Sequence, residues 1–540
     1  MALVSQGPRE RSIWAWGWRD KFPDDAARAG LAQLAKLLVP ASTPAARTLP
    51  SDAPTVSAPR VTVPDALGDV ASAEPRERAM HTRGRAFPDL VAGFAGDYAG
   101  APDLVARPRT AAEVARVLAE CDARGWAVVP FGGGTSVVGG VDAALARGGR
   151  AAVVSLDLGA LAGVHEVDPT SRLARIGAGT LGPALEDELA AHGLTLRHYP
   201  QSFEFSTLGG WLATRAGGHY ATGPTHIDDH AHALTLVTPR GVIATHAHPA
   251  SGAGPEPARM IIGSEGALGV ITEAWMRVVP RPRWRASASI AYRDFTAAVA
   301  ATRALAQSGL APSNARLLDA NEARLHRVRF DGTSVLLVGF ESADHPLGPW
   351  LARALELARD HGGEVVSGPS ESDDATNTGG RSGAAGAWRQ AFFDAPYLQS
   401  ALLSIGVLSD TFETACTWTQ FPALHARVTA AVSRALDEEC GGGLVACRFT
   451  HVYPDGPAPY YTFVGALRPG GELAQWRAIK AAASEALTAE GGTITHHHAV
   501  GRTHRPWYDR ERPALFAGAL AAVKRELDPH GILNPGVLVD

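Results

Sequence analysis

The sequence contains few cysteines and no long apolar run, and each shortage excludes a class of protein. None of the four cysteines forms a C-x-x-C pair, which excludes zinc-ribbon and thioredoxin-type sites and is typical of reduced thiols in a cytoplasmic protein. No stretch reaches the roughly 18 consecutive apolar residues of a transmembrane helix, and the first residues lack the apolar core of a secretory signal. The cysteines are Cys121, Cys416, Cys440 and Cys447.

The chain also lacks a net positive charge and contains few lysines. The net charge is −5 at pH 7, so a nucleic-acid-binding surface is not expected. Only four of the 50 basic residues are lysine, a bias that, with abundant alanine and glycine, is typical of a GC-rich bacterial genome. A hydrophobic content of 46% and a charged content of 19% describe a globular protein, and the 540 residues predict about two to four domains.

Helix and strand patterns alternate along most of the chain. A helix is predicted at 110–125 because Val114, Val117 and Leu118 share one face and a glycine ends the pattern. The mixture of helices and strands predicts an α+β fold. Further predicted helices lie at 183–192, 295–308, 420–440, 472–490 and 513–527. Predicted strands lie at 126–129, 152–156, 195–199, 334–340, 444–453 and 460–467.

Two stretches have unusual compositions. Trp14, Trp16 and Trp18 alternate near the N-terminus, which indicates core packing or a docking strand, and packing is favoured. Residues 367–386 are rich in serine, glycine and aspartate and predict a flexible loop.

A glycine-rich loop follows the predicted strand at 126–129. Glycine has no Cβ, so consecutive backbone amides of residues 130–140 can turn inward and form a nest that binds an anion such as a diphosphate. Thr135 and Ser136 add hydroxyl donors. A plain glycine-rich turn explains the three glycines alone equally well.

A second glycine pattern is G-x-G-x-x-G at Gly177, Gly179 and Gly182, between a predicted strand and a predicted helix. That context is typical of a Rossmann dinucleotide fold. However, the next strand ends at Pro200 without an acidic residue for the ribose, so a Rossmann site is disfavoured.

Three further stretches, together with the glycine loop and the closing 528–536, resemble a known family. They are 199–215, 262–272 and 495–501. The chain is similar to the FAD-linked oxidases of the vanillyl-alcohol oxidase (PCMH) type and, within them, to the alkyldihydroxyacetonephosphate synthases. The resemblance covers nearly the whole chain. It implies a two-lobed PCMH-type FAD-binding domain at 98–282 and an α/β cap domain with an antiparallel sheet at 283–500. An N-terminal segment, 1–97, would precede them, and a C-terminal segment, 501–540, would return to the FAD domain.

The resemblance also implies non-covalent FAD, because Thr135 stands where some relatives attach the flavin to a histidine. Glycine and small residues suit a cofactor that needs many backbone donors and flat apolar walls. The implied cofactor contacts are Pro130, Phe131, Gly132, Gly133, Gly134, Thr135, Ser136, Pro200, Gln201, Ser202, Thr207, Gly209, Gly210, Thr214, Glu265, Gly269, Val270 and Ile271.

His496, His497 and His498 are consecutive, and in a strand the first and third would share one face. Acid–base catalysis near the flavin is favoured, while metal binding and a polar surface run remain alternatives. Tyr460 matches the family's active-site tyrosine and would orient an oxyanion or donate a proton. Its simpler interpretation is an aromatic residue packed in the cap.

The substrate side departs from the family. Gln399 stands where the synthase pattern has its phosphate-binding arginine, and an amide cannot replace that charged bidentate contact. His219 and His226 replace the residues expected after Arg215, and Arg448 and Arg502 remain as candidate anion contacts.

Three functions stay open at this stage: a synthase-type exchange of an acyl group for an alkoxide, a net oxidation of a hydroxy acid or alcohol, and a non-enzymatic FAD-binding relic, which is disfavoured. We expect a small-molecule substrate, no nucleic acid and no metal. A peripheral membrane contact and a homodimer are left open.

Overall fold

The N-terminal third of the chain forms a small lobe around a four-stranded sheet. The computed structural model describes residues 9–39, 44–373 and 383–540, with side chains from 392 onward in the last range. The elements up to residue 157 are α1 (Asp25–Leu38), β1 (Ala71–Ser72), α2 (Pro75–Met80), α3 (Phe87–Phe94), β2 (Leu104–Ala106), α4 (Ala111–Arg124), β3 (Ala127–Phe131), α5 (Ala143–Arg147) and β4 (Val153–Asp157). Of these, α1 and α3 pack on the C-terminal half of the chain, from residue 402 onward, and not on this sheet.

Local signals explain the central helix of this lobe. Thr110 accepts a hydrogen bond from the N–H of Glu113 at the start of α4, and Gly125 ends the helix at φ +63°. The sheet order is β1-β2-β4-β3, and β4 is parallel to both of its neighbours. The C-terminal segment returns to this sheet, because Val128 on β3 exchanges backbone hydrogen bonds with Ile532 and Asn534.

The second lobe is an antiparallel five-stranded sheet of order β5-β6-β10-β8-β9. Its elements are β5 (Val164–Asp168), β6 (Leu173–Gly177), α6 (Gly182–Ala190), β7 (Leu194–Thr195), α7 (Leu208–Thr214), α8 (Ile227–His230), β8 (Ala231–Thr238), β9 (Gly241–Ala244), α9 (Pro257–Ile261), β10 (Val270–Arg277) and β11 (Val279–Pro280).

The glycines of the G-x-G-x-x-G pattern serve backbone packing. Strand β6 is antiparallel to β5 and β10, so the parallel Rossmann unit is absent from this described lobe, as expected. A Cβ on Gly177 or Gly179 would stand 2.3 or 2.0 Å from the carbonyl oxygens of Leu161 and Leu158. The predicted strand at 195–199 is wrong beyond Thr195, because Arg197 adopts φ +60° and bends the chain away.

The remaining large region is built on a seven-stranded antiparallel sheet of order β15-β12-β14-β13-β17-β18-β16. Helices α10 and α12 pack on the β12–β14 half of this sheet, and α14 and α15 pack on the β16–β18 half. Its elements are β12 (Trp284–Tyr292), α10 (Phe295–Gln307), β13 (Asn314–Leu318), α11 (Ala320–Leu325), β14 (Ser334–Ser342), α12 (Gly348–Asp360), β15 (Glu364–Asp373), α13 (Gly383–Leu403), β16 (Val407–Glu413), α14 (Phe421–Cys440), β17 (Gly443–Val452), β18 (Pro457–Ala466) and α15 (Glu472–Ala489). Two helices follow, α16 (Arg505–Glu511) and α17 (Ala514–Leu527).

The architecture confirms the predicted α+β class, with antiparallel sheets beside helices. The predicted loop at 367–386 is partly wrong: β15 extends to Asp373 and α13 begins at Gly383, while 374–382 lie outside the described residues. Trp14 and Trp16 are buried, and the ring of Trp16 meets that of Phe205 edge-on, so these tryptophans pack in the core. Among the described helices, none is long and apolar enough to span a membrane.

Candidate active site

A cavity of about 820 Å³ lies where the two lobes meet the large sheet region. Every residue predicted for the cofactor lines it, from both lobes. The large sheet region contributes Gln399, Arg448, Tyr460, His497 and His498 to the same cavity. The chain thus brings the predicted cofactor residues and most of the predicted catalytic residues to one place.

The glycine loop after β3 is shaped by contacts that only glycine permits. A Cβ on Gly132 would stand 2.3 Å from the Thr207 hydroxyl, and one on Gly133 would stand 1.6 Å from the Phe205 carbonyl oxygen. Within the described residues, none of the N–H groups of 132–136 has a protein acceptor. Five consecutive unpaired amides that line a cavity fit an anionic group, and the diphosphate of FAD is such a group.

Two buried arginines stand beside this loop, and sequence reasoning missed both. The N–H of Arg85 donates to the carbonyl of Ser136, and its side chain lines the cavity. Arg11 donates to the carbonyl of Gly133 at 3.0 Å. Burial lowers the pKa of both guanidinium groups, that of Arg11 to about 10. Among the described residues, neither arginine forms a salt bridge, although Asp89 interacts electrostatically with Arg85 and Asp157 with Arg11. Arg85 lines the cavity beside the loop, whereas Arg11 lies outside its lining.

The three histidines form a turn and not a strand, and we call residues 495–498 the histidine turn. A buried carboxylate organises it: Glu413, at the end of β16, accepts from the Thr495 hydroxyl and from the backbone N–H groups of His496, His497 and His498 at 2.5 to 3.2 Å. Burial alone would raise the pKa of Glu413, but the adjacent imidazoles and these hydrogen bonds hold it well below its usual range.

A second buried carboxylate holds the residues that follow the turn. Glu265 accepts hydrogen bonds from the N–H groups of Val500 and Gly501, both at 2.9 Å, and so fixes the backbone of this segment. Glu265 also lines the cavity. Burial raises the pKa of Glu265 to about 7. Glu413 therefore holds the histidine turn, and Glu265 holds the residues that follow it, from the other side of the cavity.

The imidazoles of the turn are neutral near pH 7. Burial lowers the pKa of His496 and His497 well below the usual value, and neighbouring histidines lower it further. Burial likewise lowers the pKa of His498. His497 and His498 line the cavity, whereas the Nε2 atom of His496 is turned to the hydroxyl of Tyr453 at 2.9 Å. A neutral imidazole keeps one bare nitrogen that can accept a proton.

His451 on β17 joins the group and was missed, because no spacing rule links it to the turn. Ring nitrogens of His451, His496 and His497 lie within 4.8 Å of one another, which is close enough for the three to coordinate one metal ion. However, His451 already donates to the Gly218 carbonyl at 3.0 Å and contacts the Thr450 hydroxyl at 3.1 Å. Because both ring nitrogens of His451 already form hydrogen bonds, proton transfer is favoured over metal binding at this group.

Tyr460 lies on β18 between the turn and a buried ion pair. Its hydroxyl donates to the Thr411 hydroxyl at 2.9 Å, and its ring lies 3.8 Å from the guanidinium carbon of Arg448. Arg448 itself is paired with the buried carboxylate of Glu322. Burial raises the pKa of Tyr460, so the phenol stays protonated.

The corner of Gln399 contains a carboxylate. The Gln399 amide donates to the Ser409 carbonyl at 3.1 Å and to Asp410 at 3.2 Å. Lys480 lies 3.8 Å from Asp410 and donates to the Thr411 carbonyl at 2.7 Å. The lysine charge at this corner is thus opposed by Asp410.

Four predicted substrate contacts lie outside the described cavity lining. Arg215 pairs with Asp228 at 3.0 Å. The ring of His219 packs edge-on against Phe392, and His226 donates to the carbonyl of His496. Arg502 donates to the carbonyl of Gly139 and to Asn534, which joins the C-terminal segment to the glycine loop. Each of these four side chains contacts another part of the protein, so we assign them a structural role and not a substrate contact.

One arm of the cavity is apolar and reaches the surface. It is bordered by large apolar side chains that remain unusually exposed: Leu34 is 45%, Leu37 77%, Phe330 73% and Leu398 41% accessible. We call these four residues the apolar rim. Leu402, Val407 and Val464 continue the same lining inward. Leu34 and Leu37 lie on α1, and no sequence pattern placed that helix at a cavity.

Comparison with known proteins agrees with this geometry. Residues 102–246 match the family described as "FAD binding domain", and residues 281–538 match "FAD linked oxidases, C-terminal domain". The alkyldihydroxyacetonephosphate synthase of Dictyostelium discoideum is 29% identical over 88% of this chain and 79% of its own. The glycolate oxidase subunit GlcD of Bacillus subtilis (strain 168) is 26% identical over 81% of this chain and 89% of its own.

A solved structure titled as an alkyldihydroxyacetonephosphate synthase superimposes with a TM-score of 0.78, covers 97% of this chain and 98% of its own, and is 24% identical. The two family models together cover well over half of the chain, on the two sides of the cavity described above. The chain therefore belongs to the FAD-linked oxidases and is an FAD-dependent enzyme.

Proposed function

We propose that this enzyme acts on an amphiphilic small molecule whose reacting end lies beside His497 and Tyr460 and whose hydrocarbon chain occupies the apolar arm. The observation that carries the proposal is one continuous cavity that joins the unpaired amides of the glycine loop, the neutral imidazoles and the apolar rim. FAD would be held by the amides of 132–136 and, when bound, supplies the electron-accepting chemistry.

The remaining roles belong to the chain. His497 would accept a proton from the substrate, because its ring is neutral and lines the cavity. The phenol of Tyr460 would transfer its hydrogen bond from the Thr411 hydroxyl to a developing oxyanion. Glu413 would act as a positioning residue that holds the backbone of the histidine turn in place.

The similarity to alkyldihydroxyacetonephosphate synthases supports an exchange of an acyl group for an alkoxide, carried out on a substrate less charged than a phosphate ester. The basis is the Gln399 corner, where Asp410 offsets the positive charge of Lys480 and where the family's arginine is missing. Net oxidation of a hydroxy acid or alcohol is the second candidate, because FAD-linked oxidoreductases such as the GlcD subunit are relatives too.

The test mixes the purified yellow protein, without oxygen, with acyl-dihydroxyacetone phosphate or with acyl-dihydroxyacetone, the uncharged ester, each together with a long-chain alcohol. We expect more fatty-acid release from the uncharged substrate, and an absorption band near 450 nm that is largely restored at the end. In a parallel sample a hydroxy acid replaces these substrates. A flavin absorption band that stays bleached in that sample would favour the oxidoreductase. Efficient fatty-acid release from the phosphate ester would contradict the uncharged-substrate proposal.

The location and partners follow from the same features. The cysteines include no disulfide within the described residues, which supports the cytoplasmic location inferred from the sequence. The apolar rim supports a peripheral contact with a lipid surface, from which a hydrocarbon chain would enter the arm. Nothing in the cavity requires a second copy of the chain, so a homodimer is not part of the proposal.

A further inference from the structure

A chain of hydrogen bonds leads from the histidine turn to the protein surface. The Nδ1 atoms of His497 and His496 are 3.0 Å apart, and the Nε2 atom of His496 is 2.9 Å from the Tyr453 hydroxyl. That hydroxyl is 2.9 Å from the Thr225 hydroxyl, which is 3.3 Å from Nδ1 of His226. His497 lines the cavity, whereas His226 is partly exposed to solvent.

The direction of every bond follows from one fixed end. His226 Nε2 faces the His496 carbonyl at 2.9 Å, and a carbonyl can only accept, so Nε2 carries the hydrogen and, in the neutral ring, Nδ1 is bare. Thr225 must therefore donate to His226, and Tyr453 must donate to Thr225. His496 then donates from Nε2 to Tyr453, and its bare Nδ1 accepts from His497. This leaves Nε2 of His497 without a hydrogen.

We propose that these five residues form a proton relay from the cavity to solvent, and that Tyr453 and Thr225 are its connecting residues. This proposal rests on the proposed function only in that a substrate proton is taken up by His497. When Nε2 of His497 accepts that proton, the Nδ1 hydrogen passes to His496. The Nε2 hydrogen of His496 passes to the Tyr453 hydroxyl, whose own hydrogen passes to Thr225. The Thr225 hydrogen passes to Nδ1 of His226, which becomes an imidazolium.

The relay moves protons only, so no electron acceptor is needed for these steps. His226 then loses its Nδ1 proton to water, which leaves the hydrogen of His496 on Nδ1 and that of His497 on Nε2. The resting arrangement returns when His497 gives its Nε2 proton to the product and one proton moves inward along the same five residues. The exit end suits a transient positive charge, because the carboxylate of Asp229 accepts from the backbone N–H groups of Thr225 and His226. The cavity end does not suit one, because His497 is buried among other imidazoles. The surroundings therefore favour movement of the charge from His497 to His226.

The test breaks single links far from the substrate. Tyr453→Phe and Thr225→Val each remove one hydroxyl, whereas Thr225→Ser retains it. Tyr292→Phe removes a buried hydroxyl that donates to Ala358 in another part of the core and serves as a matched control. We expect kcat to fall about tenfold to a hundredfold in the first two variants. KM and flavin content should be unchanged, and the solvent deuterium isotope effect on kcat should increase.

The two controls should behave like the wild type. If Tyr453→Phe retains both kcat and the isotope effect, the relay is wrong. A second measurement needs no turnover and therefore separates this proposal from the proposed function. Nitrogen NMR of ¹⁵N-histidine-labelled protein should show His226 and His496 protonated at Nε2 and His497 at Nδ1. His496 protonated at Nδ1 would overturn the relay even if no tested substrate reacts.

Discussion

At the scale of single residues, the two buried carboxylates that hold the histidine turn and the residues after it differ in protonation. Glu413 accepts four hydrogen bonds and stays ionised, whereas Glu265 accepts two backbone bonds and has its pKa raised to about 7 by burial. Between pH 4.5 and 7 the folded protein thus retains a proton on Glu265 that the unfolded chain releases. The contribution of this residue to the free energy of unfolding therefore decreases as pH rises through that window.

Glu265→Gln should remove this pH dependence. Relative to the wild type, the free energy of unfolding of the variant should increase by about 3 kcal/mol between pH 4.5 and 7. Urea unfolding at several pH values measures the difference, and Glu166→Gln, on an exposed strand, is the control. A difference that does not change with pH would show that Glu265 is ionised throughout.

The second residue-scale prediction concerns Arg85. Because its guanidinium is buried beside the glycine loop and forms no salt bridge within the described residues, we expect it to pair with the diphosphate of FAD. Arg85→Gln should weaken FAD binding about tenfold to a hundredfold, as expected for the loss of one charge-assisted contact. Flavin fluorescence titration of the apoprotein measures this.

Arg83→Gln is the matched control, because Arg83 donates to the Asp97 carbonyl and does not line the described cavity. Equal affinities of the two variants would contradict the assignment. In both proteins acid precipitation should release the flavin into the supernatant, since Thr135 offers no ring nitrogen for a covalent bond. Flavin retained in the pellet would contradict non-covalent binding.

At the scale of elements, the glycine loop is the least tolerant segment. A Cβ on Gly133 would overlap the carbonyl of Phe205, so Gly133→Ala must displace the backbone that shapes the amide nest. We expect purified Gly133→Ala to be folded by circular dichroism yet colourless. Gly149→Ala is the control, because nothing lies within 4 Å of its added methyl group. A yellow Gly133→Ala protein would show that the loop adapts.

Elements with local signals were predictable from the sequence, and those shaped by distant contacts were not. Helix α4 begins at the Thr110 cap and ends at Gly125, and both residues are visible in the sequence. The histidine turn resembles a strand in sequence, because the carboxylate that bends it, Glu413, lies 83 residues before His496. For the same reason His451 and Tyr453 could not be connected to the turn. The fold class and the motif residues could be predicted from the sequence, whereas the hydrogen-bonded partners that orient the imidazoles could not.

At the scale of the whole molecule, the proposed contact with a lipid surface depends on the apolar rim. Leu37→Asp should reduce co-sedimentation with phosphatidylcholine vesicles, because a charge would have to be dehydrated at the contact. The control is Leu515→Asp, which changes a leucine that is even more exposed, at 91%, and does not line the described cavity. Equal loss of vesicle binding in both variants would show that the rim is not the contact surface.

The return of the C-terminal segment to β3 has a consequence for biosynthesis. Asn534 donates to the carbonyls of Gly140 and Glu265, which precede it by 394 and 269 residues, and Val128 receives its second strand-like neighbour only from residues 532–534. A ribosome makes β3 and the glycine loop long before it makes these partners. The loop therefore leaves the exit tunnel without the contacts that support it, and the nascent chain cannot hold its flavin in the finished manner until synthesis is nearly complete.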